Sequence, residues 1–365
     1  MNQRISDFQQ VFDQLADEGL LETGWEQNVR DVLVEEHNEQ PWYVRVMVGF
    51  SAWLASWMLI GFVVGAAVVE SEQATLIMGV ILVVGAVFAR CVSDNDFMTQ
   101  MALAVSLAGE GLIVFAVYEI SDSFEATMFS FIFLEAVLVA FYPDAVHRFL
   151  SSASIFGALA GLLYKWELQS LLHVIVIGGA AGFIAMVFYE RGFLARGQGQ
   201  LVLPVKWGVL FGQLGVLMLS TIYVLPELGR DFEFFPFRWV STLGLGVLLL
   251  FLIYRLERSG YFTLARNGKA IVYGACFVLI VAVLKAPGLI MALLLLLLGF
   301  ARSDRVLLGV AIGFFVVFLA AFFYGIEVTL LTKSLVLVAA GALLLVARIV
   351  LKHFVFQAGE TESND

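Results

Sequence analysis

The stretch FFYGIEVTLLTKSLVLVAAGALLLVAR, residues 322–348, decides the fold class. It opens on aromatic residues, runs through an apolar core and leaves through Arg348 and Lys352. Roughly 20 apolar residues cross a bilayer as a helix at ~1.5 Å per residue, so this run reads as a membrane span. Lys333 lies five residues, about 8 Å, inside the apolar segment 328–347, and an ionisable group inside such a helix is a functional-site candidate. Two other fates are open to this lysine: its stem can snorkel to the interface, or its ammonium can pair with a buried carboxylate. Thr329, Thr332 and Ser334 flank it and can support it by hydrogen bonds or pack as ordinary helix residues.

The rest of the chain agrees with that reading. Of 365 residues, 61% are hydrophobic and only 14% charged, with a mean hydropathy of +0.92. Soluble chains carry about 25% charged residues. Twelve apolar segments follow Pro41, near 46–69, 74–89, 97–118, 126–142, 149–164, 169–189, 203–225, 239–254, 270–284, 288–301, 306–324 and 328–347. The ninth and tenth are separated only by Lys285-Ala286-Pro287, so a re-entrant pair is an alternative there. The expected fold is an all-α polytopic bundle of about 12 spans.

Orientation follows from lysine and arginine, which stay cytosolic. With a cytosolic N-terminus, sixteen basic residues fall inside and four outside (Lys165, Arg230, Arg238, Lys285), with Lys333 in a helix. Both termini are therefore expected in the cytosol. The polar first 40 residues leave no room for a cleavable signal peptide, so the first apolar run is expected to act as an uncleaved signal anchor.

Residues 1–40 hold ten acids against Arg4 and Arg30. Ile5, Phe8, Val11, Phe12 and Leu15 recur at helical spacing, and Thr23-Gly24-Trp25-Glu26 reads as a capping box that starts a second helix. The expectation is a short cytosolic helical hairpin at 1–40, a transmembrane domain at 41–352 and an acidic tail at 353–365. An acidic arm is repelled by nucleic acid and by anionic lipid, so nucleic acid is excluded as a partner and a basic protein surface fits better. Gly61/Gly65, Gly157/Gly161, Gly178/Gly182 and Gly208/Gly212 are GxxxG pairs, which suit close helix packing inside the bundle or a seam between two copies.

Two stretches resemble a known family. Pro41-Trp42-Tyr43-Val44-Arg45 leading into GFSAWLASWMLIGF, and the terminal Phe323, Tyr324, Thr329, Leu330, Leu331, Lys333, Ser334 and Gly341, resemble the bacterial membrane proteins of domain of unknown function 4401. Gly325 departs from the pattern, where a further bulky residue is expected. The resemblance implies a bacterial inner-membrane protein, often accompanied by a partner with a GDYXXLXY motif. It implies no activity.

Glu110 and Glu135 are the sharpest internal signal. Counted from a turn near Ser121-Asp122, both carboxylates lie at about the same depth, near mid-membrane. An antiparallel hairpin can bring them side by side, and two close carboxylates resist double ionisation, so the pair holds a proton or a cation. The alternative is that each is structural glue between helices. His173, Gln100 and Gln213 read as structural polar residues. Four scattered histidines and two distant cysteines offer no metal framework, and no HExxH, GxSxG or nucleotide-binding motif appears. No cofactor and no enzymatic activity are expected. Two functions remain: a membrane component working with a protein partner in envelope maintenance, assembly or export, through residues 1–40 and the outer loop 226–239; or a proton-coupled secondary transporter built on Glu110, Glu135 and Lys333.

Overall fold

A computed structural model describes residues 47, 51, 54, 58, 61 and 65 singly, and 71–92, 96–221, 235–260 and 266–325 continuously. The hairpin at 1–40, most of the first segment, the twelfth segment with Thr329, Thr332, Lys333 and Ser334, most of the loop 226–239 and the tail 353–365 lie outside these residues.

Ten α-helices and no strand form the described part. They are α1 Glu72–Val92, α2 Asp96–Ser121, α3 Phe124–Phe141, α4 Ala145–Lys165, α5 Leu172–Ala195, α6 Gly199–Leu219, α7 Arg238–Arg258, α8 Arg266–Ala282, α9 Pro287–Arg302 and α10 Arg305–Gly325. Each corresponds to one apolar segment of the sequence, from the second to the eleventh. Eight are long and apolar enough to cross a membrane, while α8 and α9 are shorter apolar helices. Among the described residues the chain is thus all-helical, as a membrane protein built from apolar helices.

Polar punctuation sets the helix ends. Ser123 caps α3 by accepting the N–H of Ala126, and Asp304 caps α10 by accepting those of Val306 and Leu307. Pro287 occupies the first position of α9, where a missing N–H costs no hydrogen bond. The segment expected from 149 begins as a helix at Ala145, because Asp144 caps it by accepting the N–H of His147 at 2.8 Å. Trp207 lies two turns inside α6, which starts at Gly199.

Neighbouring helices pack in sequence: α1 on α2, α2 on α3, α3 on α4. Then α4 packs on α6, α6 on α5, α5 on α7, and α7 on α8 and α9, with α10 on α9. The shorter α9 is the most enclosed. Ile290, Met291, Ala292, Leu294, Leu295 and Leu298 are fully buried, as fits a helix that is apolar all round. Large apolar side chains such as Phe88, Phe133, Phe141, Val247 and Phe300 point outward. In a bilayer these meet lipid, and close packing rather than water exclusion holds the helices together.

Small residues set the closest approaches. A Cβ on Gly79 of α1 would fall 2.8 Å from the Gly109 carbonyl of α2, and the reverse holds at 2.7 Å. Of the sequence-level GxxxG pairs, Gly208/Gly212 works this way: Cβ atoms there would meet the Phe149 carbonyl at 2.6 Å and the Phe156 ring at 2.7 Å on α4. Added Cβ atoms at Gly178 and Gly182 meet nothing within 4 Å among the described residues.

Most of the described basic residues gather at one end of the bundle. There Arg90 lies beside Asp144, Lys206 beside Glu190 and Lys269 beside Glu257. Arg148 donates to the carbonyls of Val139 and Gln200, and Arg302 to that of Val187.

Candidate functional site

The turn between α2 and α3 spans only Asp122 and Ser123, with Asp122 in the left-handed region at φ 47°. A turn this short makes the two helices antiparallel. Glu110 lies eleven residues before Ser121 and Glu135 eleven after Phe124, so each is about 16 Å from the turn. Both side chains are buried. The structure brings them to one cluster, where Glu110, Ser151 and His147 act on the Glu135 carboxyl.

The residue joining them is His147, which the sequence analysis did not single out. Its Nε2 is 2.8 Å from Glu110 Oε1 and 3.0 Å from Ser106 Oγ. Ser106 Oγ donates to the same Glu110 oxygen at 2.9 Å, one helical turn away on α2. On its other side, His147 Nδ1 is 3.0 Å from Ser151 Oγ, one turn further along α4. The ring is fully buried and stacks on Tyr142 with centroids 4.1 Å apart. A buried polar side chain without a partner is costly, and two such atoms lie here: Glu135 Oε2 and the Tyr142 hydroxyl have no hydrogen-bond partner among the described residues.

Local sequence explains the placement. In Phe141-Tyr142-Pro143-Asp144, the proline drives Tyr142 out of the helical region, to φ −76° and ψ 116°, and so ends α3. Asp144 then starts α4 at once, which puts His147 in its first turn. The Tyr142-Pro143-Asp144 run followed by His147 was the signal available in the sequence. α3 has 18 residues against 26 in α2, so this turn stops about 12 Å short of the level of Asp96. Asp144 and Arg90 lie at this end, with 10% and 20% of their side chains exposed and 3.7 Å between Oδ2 and Nε.

The chemistry follows from counting protons. Two carboxylates with a neutral imidazole carry −2, and the cluster is neutral only with two protons bound. His147 offers a path between the acids: with Nδ1 bare, Ser151 donates to it; with Nδ1 protonated, the imidazolium donates to Ser151 Oγ and frees the hydroxyl proton to turn towards Glu135. Among the described residues no group of three or more histidine, cysteine or acidic side chains could hold a metal ion.

The other sequence candidates lie elsewhere. His173 is buried between α5 and α7, with Nδ1 2.7 Å from Ser241 Oγ and its ring edge-on to Phe235. Gln213 is fully buried on α6 beside Gly179, with neither amide atom bonded among the described residues.

Residues 41–354 match the family described as Domain of unknown function (DUF4401). The chain belongs to this family. The match takes in all ten helices and the cluster around His147. Comparisons with curated proteins and with solved structures each returned no match.

Proposed function

We propose that this DUF4401 protein is a proton-coupled membrane carrier, with Glu110, His147 and Glu135 as its proton-binding site. The observation that carries the reading is the buried 2.8 Å contact between His147 Nε2 and Glu110 Oε1, with a second carboxylate in the same cluster. Ionisable groups within a membrane bundle are costly to place there, and chains of acids and histidines mark proton relays. Each of the three groups can hold or pass a proton. Asp144 and Arg90, partly exposed and 3.7 Å apart, offer an approach from the basic end, which this reading takes as the cytosolic side.

The test is proton flux into proteoliposomes under an imposed pH gradient, followed with an entrapped pH dye. The wild-type chain should carry protons, and Glu110→Gln and Glu135→Gln should each reduce the flux at least about 10-fold. Equal rates in all three, or no flux above empty vesicles, would remove the carrier reading.

The acidic composition of residues 1–40 favours a second reading, a membrane component that works with a protein partner, including one with a GDYXXLXY motif. Deleting residues 2–38 should then abolish partner capture while leaving insertion intact. Unchanged pull-down partners would reject it.

A further inference from the structure

A recess lies at the basic end, where α5, α6, α9 and α10 meet. It encloses about 300 Å³, at the lower end of the size range of small-molecule sites. Glu190, Arg191, Lys206, Trp207, Arg302 and Asp304 form its polar wall, and the remainder is aliphatic and aromatic. It shares no residue with the cluster around His147.

Its charges are not balanced. Lys206 is buried to 6% exposure and its ammonium lies 3.0 Å from Glu190 Oε2, so these two neutralise each other. The other carboxylate, Asp304, is engaged at the start of α10, where Oδ1 accepts two backbone N–H groups at 3.0 Å each. Arg302 uses one nitrogen, Nη2, on the Val187 carbonyl at 2.8 Å, and rests over the Phe188 ring at 5.3 Å. Arg191 is exposed and makes no ion pair or hydrogen bond among the described residues. A further guanidinium, that of Arg255, sits over the same Phe188 ring at 5.5 Å and adds positive potential. With Asp304 turned to the helix terminus, the Arg191 fork and the unused N–H groups of Arg302 are left for a ligand.

We propose that this recess binds an organic anion bearing one phosphate or carboxylate group and an apolar body. Arginine suits both anions because its planar fork can meet two oxygens at once. Trp207 with its apolar neighbours covers the body of the ligand. A membrane lipid headgroup and a soluble metabolite both present this chemistry.

Two arms of one experiment separate those sources. In the first, the purified protein in phosphatidylcholine nanodiscs is titrated with phenyl phosphate, and binding is read by calorimetry. In the second, phosphatidylglycerol replaces part of the phosphatidylcholine, and the melting temperature is read. Arg191→Gln, at an exposed position that leaves the fold intact, and Arg302→Gln are measured beside the wild type. Phenyl phosphate binding weakened at least about 10-fold by Arg191→Gln supports the site and a soluble ligand. A phosphatidylglycerol-dependent rise in melting temperature that Arg191→Gln abolishes supports the site and a lipid. No binding in either arm, or binding that Arg191→Gln leaves unchanged, overturns the proposal.

Discussion

Arg148 Nη1 lies 3.0 Å from the carbonyl oxygen of Gln200 on α6, the one carbonyl whose helical partner position, four residues on, is Pro204. Proline has no N–H to donate, so an arginine from α4 supplies what the α6 backbone lacks. The same guanidinium repeats the service on α3. Its Nε donates at 3.1 Å to Val139, whose fourth residue on is Pro143. One side chain thus satisfies two carbonyls freed by two prolines and ties α3, α4 and α6 together beside His147.

Arg148→Met should therefore destabilise the protein by about 0.5–1.5 kcal/mol, the net range for a hydrogen bond whose acceptor water can still reach. Pro204→Ala restores the missing N–H, so the same arginine change should cost less in that background. Thermal unfolding in detergent across the double-mutant cycle measures this. Equal costs in both backgrounds would show that Gln200 does not depend on Arg148.

His147 and Glu110 should be coupled. His147→Gln and Glu110→Gln each leave the other group in a buried site without its charge partner, whereas the double change leaves two neutral amides. The double variant should be more stable than the sum of the single losses by about 1 kcal/mol or more. Additivity within about 0.5 kcal/mol would mean that the contact contributes nothing on its own.

Lys333 lies outside the described residues, and its link to the acids is open to the same logic. Glu110 already has His147 at 2.8 Å, so Lys333→Ala should leave that carboxylate paired. The expected result is additive stability changes for Lys333→Ala and Glu110→Gln. Partial rescue of Lys333→Ala by Glu110→Gln would instead join the lysine to the site.

Topology is checked with reporter fusions. The gathering of Arg90, Arg148, Lys206, Lys269 and Arg302 at one bundle end and the bias of positive charge towards the cytosol lead to one expectation. A fusion at residue 198 should read cytosolic and one at residue 230 periplasmic. Reversed signals would invert the orientation.

The level of Glu110 and Glu135 was legible in the sequence because a short turn fixes depth by counting alone. Their meeting was not, since α3 is apolar on every side and its residue pattern does not say which face turns inward. His147 escaped for a different reason. Hydropathy places the start of that span where the apolar run begins, at 149, while the cap at Asp144 starts the helix earlier and carries the histidine inside. The Gly79–Gly109 crossing was also hidden: each glycine's partner is on the other helix, and spacing along one segment cannot reveal it.

The place of His147 beside the Asp144 cap also has an electrical side. Moving one elementary charge through a membrane potential of 100 mV changes its energy by about 2.3 kcal/mol, and the drop concentrates where the insulating layer is intact. His147 lies three residues from the Asp144 cap, whereas Glu110 and Glu135 stand about 16 Å from the Asp122 turn. On the proposed carrier reading, a proton arriving past Asp144 would cross less of the voltage than one arriving from the Asp122 side. Exchange with the two faces would then be electrically unequal, a consequence specific to the proposed carrier role.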